Sequence, residues 1–598
     1  MATPVYSISQ QPISSLLSWV RAGEIAIPEI QRPFVWKATQ VRDLLDSLYK
    51  GFPVGYLITW RNPNVRLKDG TVSQGKRILI DGQQRITALM TSLLQEEVLD
   101  RDYNHVRFQI AFNPHDRTFE VHNPAIEKNP VWIKDISVLF TEGFSTYSFV
   151  SKYCEMNPKS DPDEINRIIT DLRNITNNQI GVIELDPSLE IDIVTEIFVR
   201  VNSGGVKLGQ ADFAMSKIAV NETYDGHTLR KAIDYFCHMA IKPSFYDTIT
   251  KRDPEFTHTD YFQTMKWLKR TNNDLYSPEY TDLLRVTFTS EFRRGRMQSL
   301  VALLSGRNFE ARTYEDEIIR DTFDRLRKSV LDFMNESHFL RFVMIIKSTG
   351  HISSSMITAQ NALNFAYILY LTLRKEKVDN SIIEKAVKRW FMMSVLTTRY
   401  SGSAETQIDL DIQRMEETNH LEFIDSEIDR ELLDSFWTII LPDRLATSNH
   451  KSPYFQGYVA AQVIMKDRGF LSQGIRVDDL LKAKSDLHHI FPRSLLKARG
   501  FTEKEYNQVA NFAVIQSEIN IAIGNAEPRT YFQAILEQAS GGQRKYGNIS
   551  DLDDLRNNYR ENCIPDAMEK MTLDDYESFL QARRQLMAQK IRALFESL

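Results

Sequence analysis

Ser485-Asp486-Leu487-His488-His489-Ile490-Phe491-Pro492-Arg493-Ser494 and, further on, Asn511-Phe512-Ala513-Val514-Ile515-Gln516-Ser517-Glu518-Ile519-Asn520 decide how the C-terminal part of this chain folds. Leu487 to Phe491 is a short apolar run carrying two adjacent histidines, and Pro492, which has no N–H, ends it. Neighbouring strand side chains point to opposite faces, so the two imidazoles separate unless the strand bends there. A helix is expected from about Ser494 to Arg499, stopped by Gly500. Thr502-Glu503-Lys504-Glu505 reads as a capping box opening the next helix. Asn511 to Gln516 is then a return strand, Ser517 onward a helix bearing Asn520, and Pro528 suits the first turn of a further helix.

Histidines and asparagines in this order fit phosphodiester hydrolysis. That reaction needs a water nucleophile, a base to deprotonate it and a divalent cation on the scissile phosphate. A neutral imidazole serves as base near pH 7, and a hard ion such as Mg²⁺ takes one or two protein ligands and keeps several waters. Singly, such a histidine is usually a packed or surface residue and such an asparagine a turn residue; jointly they are far more specific. Residues 486–532 resemble the His-Asn-His (HNH) endonucleases, in the version found at the C-terminus of GmrSD-type proteins. The resemblance implies a ββα-metal module with His489 as general base and His488 and Asn520 holding Mg²⁺ or another divalent cation such as Mn²⁺. It makes Asn511 the residue that braces the loop holding the base. The chain departs from many relatives at Ile521-Ala522-Ile523, where they carry basic residues. Around the motif, Lys482, Lys484, Arg493, Lys497 and Arg499 outnumber Asp486. Lys484, Arg493 and Lys497 are the candidate DNA contacts, and a solvated helix face is the plainer alternative.

Composition is that of a soluble globular protein: 598 residues, 42% hydrophobic, 25% charged and a formal net charge of −6. This length accommodates about two to four domains. With a net negative chain, any nucleic-acid contact must come from local patches. Cys154, Cys237 and Cys563 are widely separated, which argues against a zinc framework or a disulfide scaffold and fits a reducing cytosol. Met1-Ala2-Thr3-Pro4 opens no basic, apolar leader, and no apolar run reaches membrane-spanning length. The expectation is a cytoplasmic protein with no membrane partner.

Toward the N-terminus, Ile8 to Ala22 has helical spacing, Ile25 to Trp36 runs extended because of its prolines, Val41 to Gly51 is helical and Val54 to Trp60 a strand. Arg77-Ile78-Leu79-Ile80-Asp81-Gly82-Gln83-Gln84-Arg85 is an apolar strand entering a tight glycine turn, with a helix following through Ile86, Leu89, Met90 and Leu93. A helix that starts from such a turn presents backbone N–H groups and its positive dipole end to anions. Arg85 offers a planar fork for phosphate oxygens, Gln83 and Gln84 neutral hydrogen bonds, and Asp81 a means of positioning the turn or holding a metal ion. No Gly-Lys-Ser/Thr is present, so this is no Walker A loop, and as a bare motif an ordinary strand–helix turn is the commoner reading. Val199 to Leu208 contains Asn202-Ser203-Gly204-Gly205, which suits either a helix C-cap or a backbone nest for phosphate. Together, Ile27-Pro28-Glu29-Ile30-Gln31-Arg32-Pro33-Phe34-Val35-Trp36, the Asp81–Arg85 turn and the Asn202–Gly205 run resemble the N-terminal domain of GmrSD-type modification-dependent restriction proteins, related to the ParB/sulfiredoxin group. The resemblance implies binding and hydrolysis of a nucleoside triphosphate at Gln31, Arg32, Asp81, Gly82, Gln83, Gln84, Arg85, Asn202, Ser203, Gly204 and Gly205.

From Gln210 to Asp443 the chain is almost entirely helical in pattern, with basic clusters at Arg293-Arg294-Gly295-Arg296 and Arg325 to Lys328 that read better as solvated faces than as DNA contacts. Arg399 to Thr406 is a polar interruption without an evident chemical role, and Thr572 to Leu598 reads as one amphipathic helix packed on the preceding module. The expected fold is a multidomain α+β protein: a ParB/sulfiredoxin-like α+β domain at 1–215, a mainly helical middle at 216–445, and an HNH-type nuclease domain with flanking helices at 446–598. The expected function is a nucleotide-regulated, metal-dependent endonuclease of restriction or anti-phage type acting on double-stranded DNA, either modified or of phage origin. Two alternatives remain open: a ParB-like nucleotide-switched DNA-binding protein with an inactive nuclease fold, and an RNA nuclease toxin. Homo-oligomerisation is left open.

Overall fold

The computed structural model describes residues 5–22, 24–26, 36–61, 77–99, 105–189, 193–194, 197, 210–221, 223–271, 273–483 and 486–598. The chain is a mixed α+β protein that divides into two compact units, Met1–Lys231 and Ala232–Leu598.

In the first unit a five-stranded sheet runs in the order Tyr6–Pro12, Gln179–Leu185, Tyr56–Arg61, Arg77–Asp81, Ile25–Ala26. The first pair is antiparallel, the second parallel, the third antiparallel and the last parallel. Strand Tyr56–Arg61 is buried from Leu57 to Trp60, and Arg77–Asp81 beside it buries Leu79 and Ile80. Helices Ile13–Arg21, Ala38–Tyr49 and Gln83–Leu93 turn Leu16, Leu45, Ile86 and Leu89 into one core with Ile110, Phe112, Ile169 and Leu172. The helix expected from Ile8 begins only at Ile13. Ile8-Ser9-Gln10-Gln11 instead completes the sheet edge, pairing with Ile183 to Ile180, and Pro12 stands at the helix N-cap. A β-branched residue among polar ones satisfies either period, and backbone pairing with Gln179–Leu185 settles it.

The second unit is built on helices. Gln360–Lys375 is its central rod: every residue from Ala362 to Leu373 is buried, as an all-round covered helix requires. Phe342 stacks on Tyr367 at 4.3 Å and 13°, within an aromatic cluster that includes Phe333, Phe339 and Tyr276. The polar interruption after helix Asn380–Leu396 has a structural task. Arg399, its side chain 5% exposed, holds Asp411 through two hydrogen bonds of 2.9 and 2.6 Å, and also reaches Glu427 and Glu431. It thereby ties helices Ala404–Glu417 and His420–Glu431 together. The basic clusters are paired too: Arg293 with Glu376 and Glu416, Arg296 with Asp409, Arg325 with Glu291 and Asp321.

At the end of the unit lies a two-stranded hairpin, Asp486–His489 against Phe512–Ile515, followed by helices Ser517–Ile523 and Pro528–Ala539. Between the strands sit helices Arg493–Ala498 and Glu503–Tyr506, the latter opened by a Thr502–Glu505 capping box. The last helix, Tyr576–Ser597, packs on this module through Phe579 against Phe491 and through Tyr576, whose hydroxyl donates to Glu505 O. No helix among the described residues is long and apolar enough to cross a membrane.

Candidate active site

The strand–strand–helix arrangement decides where each of the four motif residues lies. His488 pairs across the hairpin with Ala513 and His489 with Phe512, so consecutive imidazoles leave the strand on opposite faces. His488 is 3% exposed, its ring stacked on Phe470 and edge-on to Tyr531. Its Nδ1 lies 2.8 Å from Asn520 Oδ1 on helix Ser517–Ile523, while Nε2 is sealed among apolar groups without a partner. Burial pushes its pKa down to about 4, so the ring is neutral at pH 7.

His489 is half-buried, and its ring stands edge-on to Phe512 at 4.9 Å and 89°. Its Nε2 lies 2.9 Å from Asn507 Oδ1. Nδ1 makes no hydrogen bond among the described residues and is not sealed from solvent. Burial lowers its pKa as well, which keeps this ring unprotonated near neutral pH. Of the two histidines, then, only His489 has a ring nitrogen that is both free and reachable.

Asn511 is fully buried and clamps the chain just after the histidines. Its Oδ1 accepts from Phe491 N at 2.8 Å, and its Nδ2 donates to Phe491 O at 3.0 Å and Tyr506 O at 3.2 Å. Ile490 is held likewise, its N–H donating to Asn511 O and its carbonyl accepting from the Tyr531 hydroxyl. Arg583, fully buried on the last helix, donates to Ala510 O and Asn562 O. The histidine-bearing segment is therefore fixed by side chains far from it in sequence.

Asp486, Asn507, Tyr531 and Arg583 escaped the sequence reading. Asp486 was within reach of it, since two residues before His488 means the same strand face. Its carboxylate lies 3.4 Å from Asn520 Nδ2. No three His, Cys, Asp or Glu side chains gather as a metal group among the described residues. The donor set here is instead a neutral imidazole, an amide and a nearby carboxylate. The chemistry of that set suits a hard divalent cation that keeps most of its shell as water, and His488, Asn520 and Asp486 are the residues that would hold one.

Of the basic residues singled out, Arg493 and Lys497 are exposed on helix Arg493–Ala498 beside the hairpin, and Lys484 lies outside the described residues.

In the first unit, Gly82 (φ +93°) makes the left-handed turn between strand Arg77–Asp81 and helix Gln83–Leu93. A Cβ there would stand 2.2 Å from a Leu57 methyl. Arg85 is not an open fork: its guanidinium donates to Val54 O at 3.0 Å, Tyr56 O at 2.7 Å and Asp81 Oδ2 at 3.1 Å. Gly55 lets it approach, since a Cβ would lie 2.4 Å from Arg85 Nη1. Arg85 and Asp81 thus lock the turn to the neighbouring strand, while Gln83 is buried and Gln84 half-buried at the helix start. Gln31, Arg32, Asn202, Ser203, Gly204 and Gly205 lie outside the described residues.

Two comparisons bear on this arrangement. Residues 13–219 match the family described as GmrSD restriction endonuclease, N-terminal domain, which supports a GmrSD-like restriction protein. The whole chain is also similar to an uncharacterized protein of Methanocaldococcus jannaschii, 21% identical, with 96% of each chain covered.

Proposed function

We propose that this chain is a nucleotide-regulated, divalent-cation-dependent DNA endonuclease of restriction type, with its HNH cutting site at His488, His489, Asn511 and Asn520. One observation carries the reading: His489 alone of the pair offers an unprotonated, solvent-reachable nitrogen, and from the other face of the same strand His488 Nδ1 converges with Asn520 Oδ1 to 2.8 Å. In this reading His489 Nδ1 takes the proton from the attacking water. His488 and Asn520, with Asp486 alongside, would hold a divalent cation, which would supply charge stabilisation at the scissile phosphate. Asn511 keeps the base-bearing segment in register. Arg493 and Lys497 contact the phosphate backbone. Proton transfer by one positioned base contributes about 10²–10⁴-fold to rate.

The family match over residues 13–219 supports a ParB/sulfiredoxin-like nucleoside-triphosphate site in the first unit. Because Arg85 is committed to Val54, Tyr56 and Asp81, the phosphates would be met by the start of helix Gln83–Leu93 and its glutamines rather than by that guanidinium.

The deciding experiment incubates the purified protein with modified and unmodified phage DNA and Mg²⁺, with and without each nucleoside triphosphate. Cleavage that disappears in His489→Ala and in EDTA supports the reading. Cutting by His489→Ala at the parental rate would refute the active-site assignment.

A further inference from the structure

We infer that Asn507 positions His489, accepting a hydrogen bond from its Nε2–H and so fixing the ring in the tautomer whose Nδ1 carries the free lone pair. The inference rests on the nuclease reading for its functional meaning, but its geometry stands on its own. Asn507 follows helix Glu503–Tyr506 directly, and its Oδ1 lies 2.9 Å from His489 Nε2. Among the described residues this is the only hydrogen bond its side chain makes. Its backbone is well anchored, with Asn507 N donating to Glu503 O, and Tyr506 O receiving both Asn511 Nδ2 and the Tyr576 hydroxyl. Phe512 blocks one flank of the ring edge-on, so the amide and the phenyl together set the imidazole plane.

A neutral imidazole carries its proton on one nitrogen only, and the hydrogen bond made by one nitrogen determines what the other can do. With Nε2–H held by Asn507, the proton taken from water arrives at Nδ1, the water oxygen bonds to phosphorus and the bond to the leaving oxygen breaks. In the opposite tautomer Nδ1 already bears a proton and has no in-plane lone pair, so it cannot take the proton from water. An outer partner of this kind is commonly worth about 10–100-fold in activity. Asn507 is a positioning residue, since it touches the base and not the reacting atoms.

The test reads the tautomer directly, by ¹⁵N NMR of the full-length, metal-free protein labelled at histidine, with His489 assigned by its loss in His489→Ala. The expected wild-type signal has the proton on Nε2 and an unprotonated Nδ1. Asn507→Leu, similar in size without an acceptor, should lose that single tautomer and lower kcat about 10–100-fold with KM for DNA unchanged. Asn507→Asp, which keeps an acceptor, should retain the tautomer. A wild-type ring protonated on Nδ1 overturns the inference, as does Asn507→Leu with unchanged tautomer and rate. The wild-type spectrum decides even if a variant folds poorly. Failure of the nuclease reading looks different: His489→Ala cuts like the parent while the wild-type spectrum still shows the proton on Nε2.

Discussion

Replacing Asn511 and Asn520 by alanine, one at a time, should separate the scaffold of the site from its chemistry. Asn511 is fully buried and satisfies three backbone groups: Phe491 N–H, Phe491 C=O and Tyr506 C=O. In Asn511→Ala the Tyr506 carbonyl still has the Tyr576 hydroxyl at 3.4 Å, so two groups are left orphaned inside the protein. At about 1–3 kcal/mol for each unsatisfied buried group, the loss is about 2–6 kcal/mol. Asn520 is half-buried, and its hydrogen bonds run to the His488 and Asp486 side chains, not to backbone. Asn520→Ala orphans one buried group, His488 Nδ1, and should therefore cost about 1–3 kcal/mol of stability yet abolish cleavage. Urea unfolding followed by circular dichroism gives the stabilities, and a plasmid-cleavage assay well below each midpoint gives the activities. An Asn511→Ala protein as stable as the parent would refute the clamp argument.

Three further outcomes follow from the same kind of reasoning. Gly82→Ala forces a Cβ onto Leu57 and a side chain into a left-handed conformation, which should destabilise the first unit by about 2–4 kcal/mol in thermal unfolding. Arg399→Leu strands the fully buried Asp411 with only Tyr400 and Gln407 as partners, and breaking so buried an ion pair should cost about 3–5 kcal/mol by urea titration. His351 is buried against Phe391, and burial pushes its pKa from 6.5 to about 4. The unfolded chain therefore takes up a proton that the folded one refuses. This stability is complete above pH 6.5 and is lost as pH falls toward about 4, by up to about 1.4 kcal/mol per pH unit. His351→Leu should flatten the fall in urea midpoint between neutral and mildly acidic buffer by that amount.

The hairpin, its capping box and the helix after it were legible because each rests on a local pattern: a proline stop, a Thr-x-x-Glu cap, a period switching from two to nearly four. The pairing of His488 with Asn520 came from resemblance and has a geometric counterpart at 2.8 Å. Asn507 was not legible. Its closeness to His489 arises from how the intervening segment folds back, and an asparagine after a one-turn helix looks like any C-cap. Arg85 had a further role that no local pattern announces: a guanidinium beside a glycine turn suits phosphate, and here it also donates to the carbonyls of Val54 and Tyr56. Ile8 to Gln11 was ambiguous locally, and only the partner strand Gln179–Leu185, far along the chain, decides it.

The grip of helix Tyr576–Ser597 on the hairpin bears on how the protein is made. A ribosome that has just released Asn520 has already produced both histidines and both asparagines. It has yet to add the Tyr576 phenol that closes over Glu505 and the Arg583 guanidinium that seizes Ala510. Until those arrive, the loop carrying Asn507 is held from one side only. A nascent or truncated chain thus bears every residue of the motif before it bears an ordered site, and the geometry around the two histidines is among the last features of the chain to mature.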